Sequence, residues 1–89
     1  MELKDSKDGE IRVSTPREYI WKIASIYPDG FSIVLDGGTY YAVETTTGIA
    51  FQKRRSVYDL AATLRAPEND SAIRKTLEKI RAKYPAVNI

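Results

Sequence analysis

Residues 31–52, FSIVLDGGTYYAVETTTGIAFQ, decide how the chain is read. Apolar and polar side chains alternate here over three short runs parted by glycine-bearing breaks, the pattern of strands joined by tight turns. With Asp36-Gly37-Gly38 as a three-residue loop, Leu35 is set opposite Thr39, Ile33 opposite Tyr41 and Phe31 opposite Val43. Thr46-Thr47-Gly48 as a second such loop sets Val43 opposite Phe51 and Thr45 opposite Ile49. One face then carries Phe31, Ile33, Leu35, Tyr41, Val43, Ile49 and Phe51. The other carries Ser32, Val34, Tyr40, Ala42, Glu44, Ala50 and Gln52, and is expected to lie under a thin cover or to bind something. A two-residue loop would slip the pairing by one, set Val43 against Ala50 and divide the hydrophobic set between faces. The three-residue reading is therefore preferred.

Upstream, Thr15-Pro16-Arg17-Glu18 has the form of a helix start, with Thr15 as cap, Pro16 in the first turn and Glu18 completing a capping box. It predicts a helix to about Tyr27, ended by Pro28-Asp29-Gly30. On that helix Tyr19, Ile20, Ile23, Ala24, Ile26 and Tyr27 form one apolar arc over the sheet. Trp21 lies off the arc, one turn after Arg17, a spacing that lets the guanidinium stack on the indole. Trp21, Arg17 and the outward Tyr40 are the candidate partner-binding residues. Glu10–Val13 leaves room for a short edge strand. Residues 1–9 read as a flexible segment ahead of a single domain over 10–89.

Downstream, Ser56 and Asp59 predict a capped helix over Val57–Arg65, with Val57, Leu60, Ala61 and Leu64 inward. Asn69, Asp70 or Ser71 starts a last helix to about Tyr84, whose Ile73, Leu77, Ile80 and Tyr84 share one face before Pro85 stops it. The expected fold class is α+β: a three-stranded antiparallel meander packed on one face by three helices, in the order α-β-β-β-α-α.

The 89 residues include neither cysteine nor histidine. Thiol nucleophiles, imidazole acids or bases, disulfides and the usual zinc or haem ligand sets are thereby excluded. Asp29 and Asp36 have sufficient reason to exist as turn formers, and with Glu44 they do not point to a metal. Ser32, Ser56 and Thr45-Thr46-Thr47 lack a base to activate them. No enzyme activity, cofactor or metal is expected. MELKDSKDGE lacks the apolar run of a signal peptide, nothing approaches a membrane span, and a cytoplasmic setting is expected.

Charge is unevenly placed. Residues 1–52 hold five Lys/Arg against eight Asp/Glu, residues 53–89 nine against four. Lys53-Arg54-Arg55 sits where a strand passes into a helix, and its cations, the helix N–H groups and Ser56 could meet a phosphate. Lys75, Lys79 and Lys83 repeat at i, i+4 along the last helix. These six are the candidate nucleic-acid-binding residues. The order helix, three strands, basic junction, helix resembles that of double-stranded-RNA-binding domains, but residues 15–65 are too short a span for two minor grooves.

Glu18-Tyr19-Ile20, Tyr27-Pro28-Asp29-Gly30-Phe31-Ser32-Ile33 and Tyr41-Ala42-Val43-Glu44 together resemble a run in small accessory domains of phages and conjugative elements, including those attached to large polyvalent proteins. The resemblance implies a mobile-element setting and a role in altering host machinery. The expected function is that of a small non-enzymatic binding protein engaging a host macromolecule, a protein before a nucleic acid, through an aromatic and basic surface. Oligomeric state is left open.

Overall fold

A computed structural model describes residues 1–88 of the chain. Five strands form one antiparallel sheet in chain order, β1 (Lys7–Ser14), β2 (Tyr19–Ile26), β3 (Phe31–Asp36), β4 (Thr39–Glu44) and β5 (Ile49–Arg54). Helix α1 (Val57–Arg65), a 3-10 turn at Pro67–Asn69 and helix α2 (Asp70–Lys83) follow. The class is α+β, but the sheet has five strands instead of three, two helices cover it instead of three, and the order is β-β-β-β-β-α-α.

The largest correction concerns residues 16–27, which form the end of the β1–β2 turn and strand β2, and not a helix. Thr15 does gather N–H groups, as a cap would: its Oγ1 accepts from Arg17 N at 3.3 Å and Glu18 N at 3.1 Å. Its own N–H, however, donates to Glu18 O at 2.8 Å, closing a four-residue turn between Ser14 and Tyr19. Tyr19, Ile20, Trp21, Ile23 and Ile26 are aromatic or β-branched, types that favour a pleated strand. β1 pairs with β2 over its whole length, Lys7 with Ile26 through Ser14 with Tyr19. Lys7, Asp8 and Gly9 thus belong to this strand, and Met1 is buried in the main core.

The register of β3, β4 and β5 is also corrected. Gly37 and Gly38 both take positive φ, 58° and 78°, and make a two-residue hairpin with Asp36 opposite Thr39. This is the type I′ geometry that suits the sheet twist. Ile33 therefore faces Ala42, and Phe31 faces Glu44. The second turn has four residues, Thr45–Gly48, between Glu44 and Ile49, and an irregularity at Ala42/Val43 leaves Val43 opposite Ala50. The hydrophobic set is indeed divided between faces, because both faces are buried.

Phe31, Ile33 and Ala42 pack under Leu60 and Leu64 of α1 and Ile73 and Leu77 of α2, with Tyr40 and Phe51 at the margin. On the reverse face Val34 and Val43 meet Ile11, Val13 and Ala24, flanked by Tyr41 and Ile26. The sheet curls far enough for this second core to form: Ser14 N donates to Gly48 O at 2.9 Å, so β1 returns to the β4–β5 turn. Residues 87 and 88 fasten that seam. Asn88 Oδ1 accepts from Arg12 N at 2.7 Å, while its Nδ2 donates to Arg12 O at 2.8 Å and Thr45 O at 2.9 Å. The side-chain amide thus occupies both outward backbone groups of one residue of an edge strand. Replacing Asn88 by Ala is expected to cost about 1–2 kcal/mol in urea unfolding, the range for bonds that water partly replaces.

The two helices lie where Ser56 and Pro85 mark them. Ser56 Oγ accepts from Tyr58 N at 3.2 Å and Asp59 N at 3.4 Å. Leu60 and Leu64 on α1, and Ile73, Leu77 and Ile80 on α2, are the buried stripes.

Candidate docking face

Both helices lie over β4 and β5 and leave the outer face of the β1–β2 hairpin bare. Alternation along a strand sends Ala24 into the reverse core and Tyr19, Trp21 and Ile23 outward. Trp21 is 62% exposed and Ile23 76%. Leu35 on β3 is 48% exposed and Tyr58, in the first turn of α1, 84%. Ile23, Leu35, Tyr40 and Val57, with Asp8, line a groove of about 290 Å³ between the bare hairpin and α1. Large apolar side chains scattered singly over a surface need no explanation, whereas a contiguous set does.

The cross-strand register sorts the charges around this set. Glu10 lies opposite Ile23, Leu35 opposite Tyr40, and Tyr40 opposite Arg54. Asp8 and Glu10 thus stand beside the exposed Ile23 on the bare hairpin, whereas Tyr40 and Arg54 belong to the helix-covered strands β4 and β5.

Trp21 is exposed, yet its cationic neighbour is Arg12 and not Arg17. Arg12 is its cross-strand partner, and the guanidinium carbon stands 5.3 Å from the ring centroid. Arg12 also donates to Val87 O. Arg17 sits in the β1–β2 turn, away from the indole because the segment is a strand and not a helix. Tyr40 points to the helix-covered face, half-buried beside the main core, not to a face turned outward. Ile23, Leu35 and Val57 are expected from the sequence to be buried, and Tyr58, Asp8 and Glu10 carry no expected role there. A period of two over Tyr19, Trp21 and Ile23 was the available signal.

The basic junction does not converge. Lys53 and Arg54 are successive strand residues and point to opposite faces. Arg54 is folded back on Gln52 Oε1 at 3.0 Å and Lys53 O at 2.6 Å. Ser56 already occupies N–H groups of α1 that a phosphate would need. Lys75, Lys79 and Lys83 are exposed on α2, and none has a carboxylate within 4.0 Å among the described residues. They form a second cationic surface apart from the groove.

A polar cluster gathers Ser32, Glu44, Thr45, Thr46, Thr47 and Arg81, types that also occur in active sites. Its bonds give it another purpose. Glu44, fully buried, accepts from Thr46 Oγ1 at 2.7 Å, Thr47 N at 2.9 Å, Thr46 N at 3.3 Å and Arg81 Nε at 3.0 Å. Burial pushes its pKa up, but the bonds from Thr46, Thr47 and Arg81 outweigh burial, and the carboxyl is held below its ordinary value of 4.5. With both oxygens engaged, it ties α2 to the β4–β5 turn. Among the described residues no group of three or more acidic side chains is placed to hold a metal ion, and no helix is long and apolar enough to cross a membrane.

Comparison with family models, curated proteins and solved structures gives no match.

Proposed function

We propose that this chain is a non-enzymatic binding protein that docks a protein partner on the outer face of β1–β2 and along the groove beside α1. One observation carries the reading: Trp21 and Ile23 are large, apolar and exposed on the bare outer face of β2, and Ile23 shares a groove with the exposed Leu35. Burying such side chains is what anchors a partner, since a few aromatic and aliphatic residues supply most of an interface's energy. The partner presents an apolar ridge, with a cation toward Asp8 and Glu10. The resemblance over residues 18–44 supplies the setting, a mobile element acting on a host macromolecule.

The test is capture from host-cell lysate on the immobilised chain, with and without nuclease, at about 0.1 M and 1 M salt. A protein should be retained after nuclease and high salt, and lost on Trp21→Ala or Ile23→Glu, with Kd raised at least about tenfold. Both substitutions are at exposed positions and should shift unfolding free energy by under about 1 kcal/mol. The nucleic-acid reading, through Lys53, Arg54, Arg55, Lys75, Lys79 and Lys83, gives the opposite pattern. Retention would then collapse with nuclease or salt and ignore Ile23.

A further inference from the structure

The geometry points to a small-molecule site at the open end of the curled sheet, one that takes a monocyclic carboxylate with its ring among apolar side chains and its anionic group toward Lys22 and Lys53. The site uses the reverse face of the sheet, opposite to the docking face, and does not depend on it.

Curling gives the reverse face an inside. Val13, Val34 and Val43 belong to the core that fills its depth. Nearer the β1–β2 turn the filling runs out, and a cavity of about 170 Å³ opens between Pro16, Ile20, Val34, Tyr41 and Ala50. The mouth of a curled sheet is a common place for a ligand, and an apolar cavity of about 150 Å³ is enough to admit benzene. There is room for a single ring, with a short substituent projecting from the mouth.

Polar groups stand at the same place. Lys22 and Asp36 also line the cavity, with Lys22 Nζ 3.1 Å from Asp36 Oδ1. That bond uses one of the ammonium's three donors and leaves two, on a side chain that is 25% exposed. Tyr41, half-buried, lines this cavity and a shallower cleft that it shares with Ala50 and Lys53. Lys53 is its cross-strand partner, so both side chains stand on one face of the sheet. Lys53 has no carboxylate within 4.0 Å among the described residues.

The cavity and its adjoining cleft thus carry two cations and one carboxylate. Arg17 and Glu18, next along the turn from Pro16, are both exposed and of opposite sign. An anionic group balances the set, whereas an amine would put a third cation beside one carboxylate. Volume selects one ring, and charge selects the carboxylate.

Proton–nitrogen correlation spectra of the full chain, titrated to about 20 mM with benzoate, benzamide or benzylamine, test the site. The three probes share a ring and differ in charge. Benzoate should shift the amides of Ile20, Val34, Tyr41 and Ala50 with a Kd on the order of 1 mM, as suits so small a ligand. Benzamide should bind at least about fivefold more weakly, and benzylamine more weakly still. Lys22→Met should raise the Kd for benzoate at least about fivefold and leave that for benzamide within about twofold. Lys53→Gln, at an exposed position, should act in the same direction by a smaller factor, and decides the matter should circular dichroism show Lys22→Met unfolded. Ala50→Trp, also at an exposed position, should block the mouth and abolish the shifts for all three probes. No shift by benzoate at about 20 mM, benzylamine bound as tightly as benzoate, or benzoate indifferent to both lysine changes or to Ala50→Trp would each overturn the proposal.

Discussion

Gly48→Ala is expected to destabilise the chain by about 4 kcal/mol or more, enough to unfold a domain of ordinary stability at elevated temperature and to approach unfolding at 25 °C. Gly48 has φ of 69°, and a Cβ there would be driven into the carbonyl oxygen of Arg12, with Val13 Cα at 3.2 Å. Those atoms are backbone and cannot swing aside. β1 would have to lift away, breaking the Ser14–Gly48 bond and the Asn88 clamp on Arg12 and opening the reverse core over Ile11 and Val13. Gly37→Ala is the control. Gly37 also has positive φ, but nothing lies within 4 Å of an added Cβ. Only backbone strain is incurred, about 1 kcal/mol. Equal urea midpoints for the two variants would show that β1 does not seat on the β4–β5 turn.

Glu44 supplies the second large effect. Glu44→Ala removes the acceptor for Thr46 and Thr47 and the partner of Arg81, and should cost about 3–5 kcal/mol, the sum of orphaned buried donors and lost packing. Glu44→Gln keeps the volume but turns an amide group toward a donor, and should cost about 2 kcal/mol at pH 7. The pH dependence has a definite sign. The folded pKa lies below the ordinary 4.5, so the unfolded chain binds the proton more readily. The carboxylate's contribution is complete above pH 4.5 and is lost as pH falls through the lower folded value. The gap between wild type and Glu44→Gln should therefore narrow on acidification below pH 4.5 in parallel urea titrations. A gap that widens there would reverse the assignment of Glu44 as the anion in the fold.

The helices were legible because each buries a single stripe. Leu60 with Leu64, and Ile73, Leu77 and Ile80, fall at helical spacing, the latter three with charged residues between, and Ser56 is an unambiguous cap. β2 was illegible for the opposite reason. Ile20, Ala24 and Ile26 face inward and Tyr19, Trp21 and Ile23 face outward, so apolar residues occur on both sides and a period of two is masked. Thr15 and Glu18 compounded this, since a side chain that gathers N–H groups serves a tight turn as well as a helix start. The register error had a related origin. Dividing Phe31 and Ile33 from Val34 and Val43 looked wasteful only on the assumption of one buried face, and curling supplied a second. Trp21 could be read as exposed from the sequence. Its companion Ile23, and the acidic neighbour Glu10 opposite it, come to that face only through strand pairing that the helical reading of residues 16–27 had removed.

Because Arg12 is held by Asn88, across 76 positions of the chain, the curled sheet gains its last fastening only after nearly all residues are in place. Loop closure over such separations is slow, and little reward precedes it. Folding should therefore be all-or-none, with a single relaxation phase on the millisecond to second scale. Amides of Ile11 and Val13 should exchange with solvent only through the same global opening that releases α2.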